Sequence, residues 1–254
     1  RLAIPEGARV STLAWNHAEH LEAYFAIPCT GRVIHTANIR LSADDLAFVL
    51  SHARSQAILV DPDFVHLVAE VRDRLPDLRH VIVFADVLPE DAPEGAVAYE
   101  DLLAGEPTEY PRRTLDERMP AGLCYTSGTT GRPKGVEYTH RSTFLHALAV
   151  TSGAAMSFGP ADAVLPQVPM FHASAWGMAH AAVAVGAKVV LTAGPLDAAD
   201  FVDTLREERV TVAAGVPTVW LSIADELAYI KEKGIAFAPK LVLLAAFEND
   251  VLDL

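Results

Sequence analysis

The segment from Tyr125 to Ser142 reads YTSGTTGRPKGVEYTHRS. Six small or hydroxylated residues, Thr126, Ser127, Gly128, Thr129, Thr130 and Gly131, are followed by a single lysine, Lys134, set between Pro133 and Gly135. Small residues let a backbone approach a ligand closely and adopt positive φ where a turn requires it. Successive N–H groups in such a turn converge on an anion. Ser127, Thr129 and Thr130 add hydroxyl donors, Lys134 adds a mobile positive charge, and Pro133 stiffens the approach to it. The arrangement suits the grip of a polyphosphate. It is not a Walker A loop, in which the lysine directly follows the glycine and opens a helix. Here Lys134 stands three residues after Gly131, and Gly135 takes the place of the hydroxyl residue. For an arbitrary Ser/Thr/Gly run, a polar turn beside a surface lysine is the competing interpretation.

Working outward, Leu123–Tyr125 is a short apolar run ending at Thr126. The loop therefore leaves a strand end, the place where open α/β sheets bind ligands. Upstream, strand-like runs at 9–14, 57–61 and 81–84 alternate with helical patterns at 17–27, 42–52 and 62–75. Asn16 and Ser42 read as N-caps, Ser42 with Asp45 three residues on in a relative of the capping box. Downstream, apolar runs at 163–168, 188–191, 211–214 and 241–244 alternate with helical patterns near 174–185, 197–208 and 217–232. Continuous apolar strands separated by helices predict an α/β fold, a parallel sheet of βα layers covered by helices on both faces. Two subdomains are expected. The first covers 1–120, with a Pro-, Glu- and Asp-rich surface excursion over 86–120. The second, 121–254, is opened by the strand that carries the loop.

Composition narrows the function. The chain has 254 residues, 51% of them hydrophobic, enough for a substantial core. A formal net charge of −13 argues against a nucleic-acid surface and against electrostatic docking on anionic lipid. Any phosphate site must be a local exception built from backbone N–H groups and a few cations. Cys29 and Cys124 lie far apart in apolar contexts and read as reduced core residues. No apolar run approaches the ~18 residues that span a bilayer. A cytoplasmic protein, with peripheral membrane association left open, is the default. His17 and His20 have no supporting ligand at metal-site spacing and read as a helix face. No G-x-S-x-G elbow supports a serine hydrolase.

The string from Tyr125 to Gly135 closely resembles, through eleven consecutive positions, the signature loop of the adenylate-forming superfamily. That superfamily contains acyl-CoA synthetases, peptide-synthetase adenylation domains and luciferases. ThrHisArgSer (139–142), ValProMetPheHisAlaSerAlaTrpGly (168–177) and AlaGlyValProThrValTrp (214–220) also fit it. HisLeuGluAlaTyrPheAlaIlePro (20–28) and HisThrAlaAsnIleArgLeu (35–41) look like its medium- to long-chain fatty acyl-CoA synthetase branch. The resemblance runs from about Val10 to about Leu244.

The resemblance implies an enzyme that joins a fatty acid to the α-phosphate of ATP, releases pyrophosphate, and passes the acyl group to CoA. Two anions must meet, so catalysis is largely charge neutralisation and positioning. The implied nucleotide contacts are Thr126, Ser127, Gly128, Thr129, Thr130, Gly131, Lys134 and Gly135, with Thr126 also approaching Mg²⁺. His172 is implied near the reacting carboxylate and α-phosphate, so His172 and Lys134 are the catalytic candidates. A packed or capping histidine is the alternative for His172. Trp176 is read one helical turn on and on the same face, and it joins His172, Val216, Pro217 and Thr218 as candidate lining of the acyl pocket. Core packing is the alternative for Trp176, and Trp220 reads as core. The partners implied are fatty acid, ATP and CoA, with no nucleic acid. Homodimers are familiar in this branch, although no feature of the sequence demands one.

The chain departs from the family pattern after 241–244, where Ala245, Ala246, Phe247 and Glu248 replace a small-residue turn. The glutamate that completes the family's Mg²⁺ site has no counterpart. Both ends read as cut, so the chain is expected to be a partial N-terminal domain without the C-terminal lid, and to catalyse weakly or not at all alone. An adenylation enzyme for another carboxylic acid, and a non-catalytic nucleotide- or acyl-binding fragment, are the rival readings.

Overall fold

A computed structural model of the chain describes residues 2–126 and 132–223, which fall into two compact units dividing between Ser142 and Thr143. In the first unit the order is β1 (Arg9–Leu13), α1 (Ala18–Cys29), β2 (Val33–Thr36), α2 (Ala43–His52), β3 (Ala57–Val60), α3 (Val65–Val71), β4 (His80–Val83), β5 (Val97–Ala98), α4 (Tyr99–Leu103), β6 (Pro120–Thr126) and β7 (Lys134–Thr139). These strands form one sheet in the order β5-β4-β3-β1-β2-β6-β7, parallel throughout except that β7 runs antiparallel to β6. The four residues of β3 are all buried, as a central parallel strand between two helical layers requires. Val10 of β1 stands between Ile34 and Ala57 in register. The mostly parallel sheet with flanking helices is the α/β fold expected from the alternation of patterns.

Helix starts follow their caps. The Ser42 hydroxyl accepts from the Asp45 N–H at the start of α2. Thr139 and Ser142 cap α5 (His140–Thr151) reciprocally: the Ser142 N–H donates to Thr139 Oγ1, and the Thr139 N–H donates to Ser142 Oγ. Helix α1 begins one residue later than the Asn16 reading. The residue at its cap is His17, whose ring Nδ1 lies 3.3 Å from the His20 backbone nitrogen.

The second unit holds a parallel three-stranded sheet among the described residues, with β8 (Ala163–Pro166) between β9 (Lys188–Val189) and β10 (Val212–Ala214). The helices Met178–Val185, Ala198–Glu207 and Pro217–Ser222 alternate with these strands. Leu165, Phe201, Leu205, Val210, Ala213, Trp220 and Ile223 form its core, with the Phe201 and Trp220 rings edge to face at 6.1 Å. The expected strand at 241–244, and its departures at Ala245 to Glu248, lie outside the described residues.

Several expectations need correction. The loop-bearing strand belongs to the first sheet, because its ladder partners are β2 and β7, so the division falls after Ser142 and not at 120/121. The excursion over 86–120 is not featureless, since β5 and α4 lie in it and β5 extends the sheet from β4. Strand β7 was not anticipated at all. Cys124 is buried, but Cys29 is exposed at the last turn of α1. The helix expected near 174 starts at Met178. Before it, Ala173, Ser174, Ala175 and Trp176 all have φ between 42° and 53°, a left-handed turn ending at Gly177. Trp176 therefore does not stand one right-handed turn above His172. Left-handed residues with a Cβ cost roughly 1–2 kcal/mol each, so the surrounding packing must hold this turn.

Candidate functional site

The sheet order places β1 between β2 and β3, a chain reversal at whose carboxyl edge an open α/β sheet ordinarily binds its ligand. Side chains bridge that crevice here. His17, at the start of α1 just past β1, sets Nε2 at 2.7 Å from Asp61, which follows β3, and Nδ1 at 2.7 Å from Glu19. The other Asp61 oxygen accepts from the Trp15 N–H at 2.7 Å. Next to it His20 is fully buried, its ring bonded to the Trp15 carbonyl and to the Thr12 hydroxyl. The two histidines are thus part of a hydrogen-bonded plug, not simply one helix face. Among the described residues no group of three His, Cys, Asp or Glu is placed to hold a metal ion.

The Gly/Thr loop instead leaves the carboxyl end of β6, two strands away. Its stems are fixed by the β6–β7 ladder, which sets Thr126 opposite Lys134 and Tyr125 opposite Gly135. Thr126 is half-buried and Lys134 exposed. Lys134 makes no ion pair with any described residue. Ser127, Gly128, Thr129, Thr130 and Gly131 lie outside the described residues. Gly135 has a packing reason for lacking a side chain: a Cβ there would come within 3.1 Å of Leu123 Cδ1 and 3.3 Å of Tyr125 Cζ. The Tyr125 ring lies across β7 at that point. Burial pushes the Tyr125 phenol above its ordinary pKa, with Arg9 acting against that and Glu137 adding to it. A half-buried hydroxyl beside an accessible cation, at the two ends of a seven-residue connection, fits a triphosphate carrying its own metal ion.

In the second unit, β8 and β10 are parallel neighbours, and the Gln167 and Val168 N–H groups both donate to the Ala214 carbonyl just past their ends. From these adjacent strand ends leave the two segments that carry the remaining candidates. His172, extended and half-buried, precedes the left-handed turn that places Trp176. Val216, also half-buried, caps the helix begun by Pro217, with Thr218 exposed in its first turn. The structure brings these five residues to one edge of the second sheet. Trp220 is core, its indole N–H donating to the Gly215 carbonyl. His146 of α5 holds the turn from outside, its Nε2 bonded at 3.0 Å to the Trp176 carbonyl.

Sequence reading missed two residues of α2. His52 Nδ1 is 2.7 Å from the Tyr125 hydroxyl, and Phe48 carries the Arg132 guanidinium 4.9 Å above its ring. Phe48 and His52 stand four apart on one helix with rings stacked at 5.5 Å, a spacing that could have flagged them as a pair. Their partners lie too far along the chain to be read from it. Among the described residues no helix is long and apolar enough to cross a membrane.

Comparison with known proteins gives a consistent picture. The model of the AMP-binding enzyme family matches residues 1–246. The long-chain-fatty-acid–CoA ligase of Thermus thermophilus is 47% identical over 226 residues, covering 89% of this chain and 40% of the relative. The medium-chain-fatty-acid–CoA ligase of Ectopseudomonas oleovorans is 39% identical over 222 residues, covering 87% and 41%. A solved structure described as a long-chain-fatty-acid CoA ligase from Rhodopseudomonas palustris superposes with a TM-score of 0.78 at 23% identity, over 89% of this chain and 54% of that one. The chain spans about two-fifths of the length of the curated relatives it matches.

Proposed function

The chain belongs to the AMP-binding enzyme family, and we propose on that premise that it is the nucleotide-gripping part of an acid–thiol ligase that activates a fatty acid with ATP and hands the acyl group to CoA. The observation that carries the reading is the pairing of Thr126 with Lys134 across the mouth of the β6–β7 hairpin, with Lys134 exposed and without an ion pair to a described residue. In that role Lys134 offsets charge on the phosphates that leave as pyrophosphate, and Thr126 offers its hydroxyl to the metal-bearing end of the nucleotide. Mg²⁺, bound with the nucleotide, would supply further neutralisation of phosphate charge. Preorganised charge of this kind lowers the barrier to carboxylate attack without reorganising at the moment of reaction. Loop residues 127–131 would contribute N–H and hydroxyl donors.

His172 is assigned to the carboxylate end, where a ring N–H would steady charge as the carboxylate attacks. Trp176, Val216, Pro217 and Thr218 are assigned to the acyl chain. The 254 residues taken alone are expected to bind ATP and to turn over poorly. The relatives' printed substrates favour a medium- or long-chain fatty acid.

The test is calorimetric titration of the chain with Mg·ATP, paired with an assay of fatty-acid-dependent pyrophosphate release. Lys134→Ala removes a charge-assisted contact and is expected to weaken ATP about 10- to 100-fold. An ATP affinity unchanged in that variant, or no affinity in the parent chain, would count against the assignment.

A further inference from the structure

We infer that Phe48 and His52, on the last two turns of α2, are positioning residues that clamp both stems of the Gly/Thr loop and so hold the phosphate grip in its working shape.

Helix α2 packs through one face. Its buried stripe is Leu46, Ala47, Val49 and Leu50, which is sufficient to dock the helix on the sheet. Phe48 and His52 lie off that stripe: Phe48 is half-buried and His52 exposed. A helix already docked by aliphatic side chains does not need two aromatic rings at its outer margin. Both rings nevertheless have specific partners, and the partners flank the loop. His52 Nδ1 pairs with the Tyr125 hydroxyl at 2.7 Å, and Tyr125 is the residue immediately before Thr126. Phe48 supports the Arg132 guanidinium at 4.9 Å, and Arg132 is the residue immediately after Gly131. The two rings stack on each other at 5.5 Å and 30°, which couples the contacts.

The sheet side is equally tied. Leu123, with Val33 and Ala53, forms a small core against which Tyr125 packs, and the absence of a side chain at Gly135 leaves room for the Tyr125 ring. The His35 ring stands 5.1 Å from that of Tyr125. Tyr125 is therefore packed along its ring, and its hydroxyl reaches the His52 ring. Phe48, His52 and Arg132 line an open cleft of about 640 Å³ that also takes in Asp44 and Arg74, which are ion-paired at 2.8 Å. A loop that must present several N–H groups to one anion loses affinity if its stems wander, because ordering them is then charged against binding. Anchoring both stems to one rigid helix removes that cost.

The inference rests on the reading of residues 126–135 as the phosphate grip, and two measurements on the chain separate it from that reading. The first needs no nucleotide. Amide hydrogen exchange at Tyr125, Thr126, Arg132, Lys134 and Gly135 is compared among the parent chain, Phe48→Ala and His52→Ala. Each variant loses roughly one weak interaction, so exchange there should quicken about three- to tenfold while β1 and β3 stay unchanged. Unchanged exchange at the stems overturns the clamp, whatever nucleotide binding shows.

The second is Mg·ATP titration. His52→Ala and Phe48→Ala should each weaken ATP about three- to tenfold, and Tyr125→Phe should add little in the His52→Ala background, because it breaks the same contact. His52→Gln, which keeps an acceptor near the hydroxyl, should recover most of the loss; a merely structural role for His52 gives no reason for such recovery. Quickened exchange with unaltered ATP affinity overturns the claim that the clamp serves the nucleotide. A parent chain without ATP affinity removes the functional reading and leaves the clamp to stand or fall on exchange.

Discussion

Acidification from about pH 7.5 to pH 5 is expected to lower the unfolding free energy of the chain by about 2 kcal/mol through each of His20 and His35. Both rings are fully buried, and burial drives each down to about 3, with the charge of His17 acting on His20 in the same sense and that of Arg9 on His35. The partners of each ring suit a neutral imidazole. His20 bridges the Trp15 carbonyl and the Thr12 hydroxyl, and His35 Nδ1 lies 2.9 Å from Ser11 Oγ within a Ser11–Ser55 pair. The unfolded chain takes up protons on these rings near pH 6.5, whereas the folded chain does so only near 3. Stability is therefore complete above pH 6.5 and is lost progressively as pH falls towards 3.

His17 works in the opposite sense. Burial opposes its charge, but the bonds to Asp61 and Glu19 outweigh it and leave the folded pKa raised. Its contribution is complete below pH 6.5 and fades as pH rises through the folded value, so it partly offsets the loss on acidification. Urea titrations at the two pH values check this. His20→Gln and His35→Gln should each reduce the difference between the two pH values by about 2 kcal/mol, whatever the variant's absolute stability. A difference undiminished in either variant would show that its ring does not resist protonation in the folded chain.

Gly177→Ala is expected to destabilise the second unit by about 2–3 kcal/mol, a loss with two separable parts. Gly177 has φ of 72°, a conformation that a residue with a Cβ adopts at a cost of about 1 kcal/mol. An added Cβ would also fall 2.4 Å from His146 Cδ2 and 2.8 Å from its Nε2, closer than any packing allows. Relief requires the ring to swing away, which breaks its bond to the Trp176 carbonyl and leaves the strained turn at 173–176 without its outer support. His146 is exposed and free to move, so the substitution weakens the unit and does not prevent it from folding. In a His146→Ala background the clash is gone, and Gly177→Ala should then cost only the backbone part, about 1 kcal/mol. Equal costs in the two backgrounds would show that His146 does not brace the turn.

Local rules that depend on a few neighbouring residues were legible in the sequence. Ser42 with Asp45 marked the start of α2, the buried run Ala57–Val60 marked a central strand, and the apolar residues before Thr126 marked a strand end. Strand β7 was not legible by those rules. Lys134 to Glu137 are all exposed, and the only trace is the alternation of Val136 and Tyr138 about a charged residue. Its pairing comes from β6, whose loop returns the chain to it, and not from its own composition. The turn at 173–176 gave no signal either, because AlaSerAlaTrp contains none of the glycines or asparagines that mark left-handed backbone. Among the candidate site residues, Thr126 and Lys134 follow from the motif, whereas the opposed placement of the two depends on the ladder register. Phe48 and His52 look like ordinary helix residues until the fold brings Tyr125 to His52 across 73 positions.

Paramagnetic relaxation by Mn·ATP tests the central claim most directly. Manganese carried on the phosphates broadens amide signals within its reach. The hairpin account predicts selective broadening at Thr126, Lys134 and Gly135 and in the loop between them, lost in Lys134→Ala and reversed by excess Mg·ATP. Broadening centred on other strand ends, or none at nucleotide concentrations that saturate the chain, would contradict it.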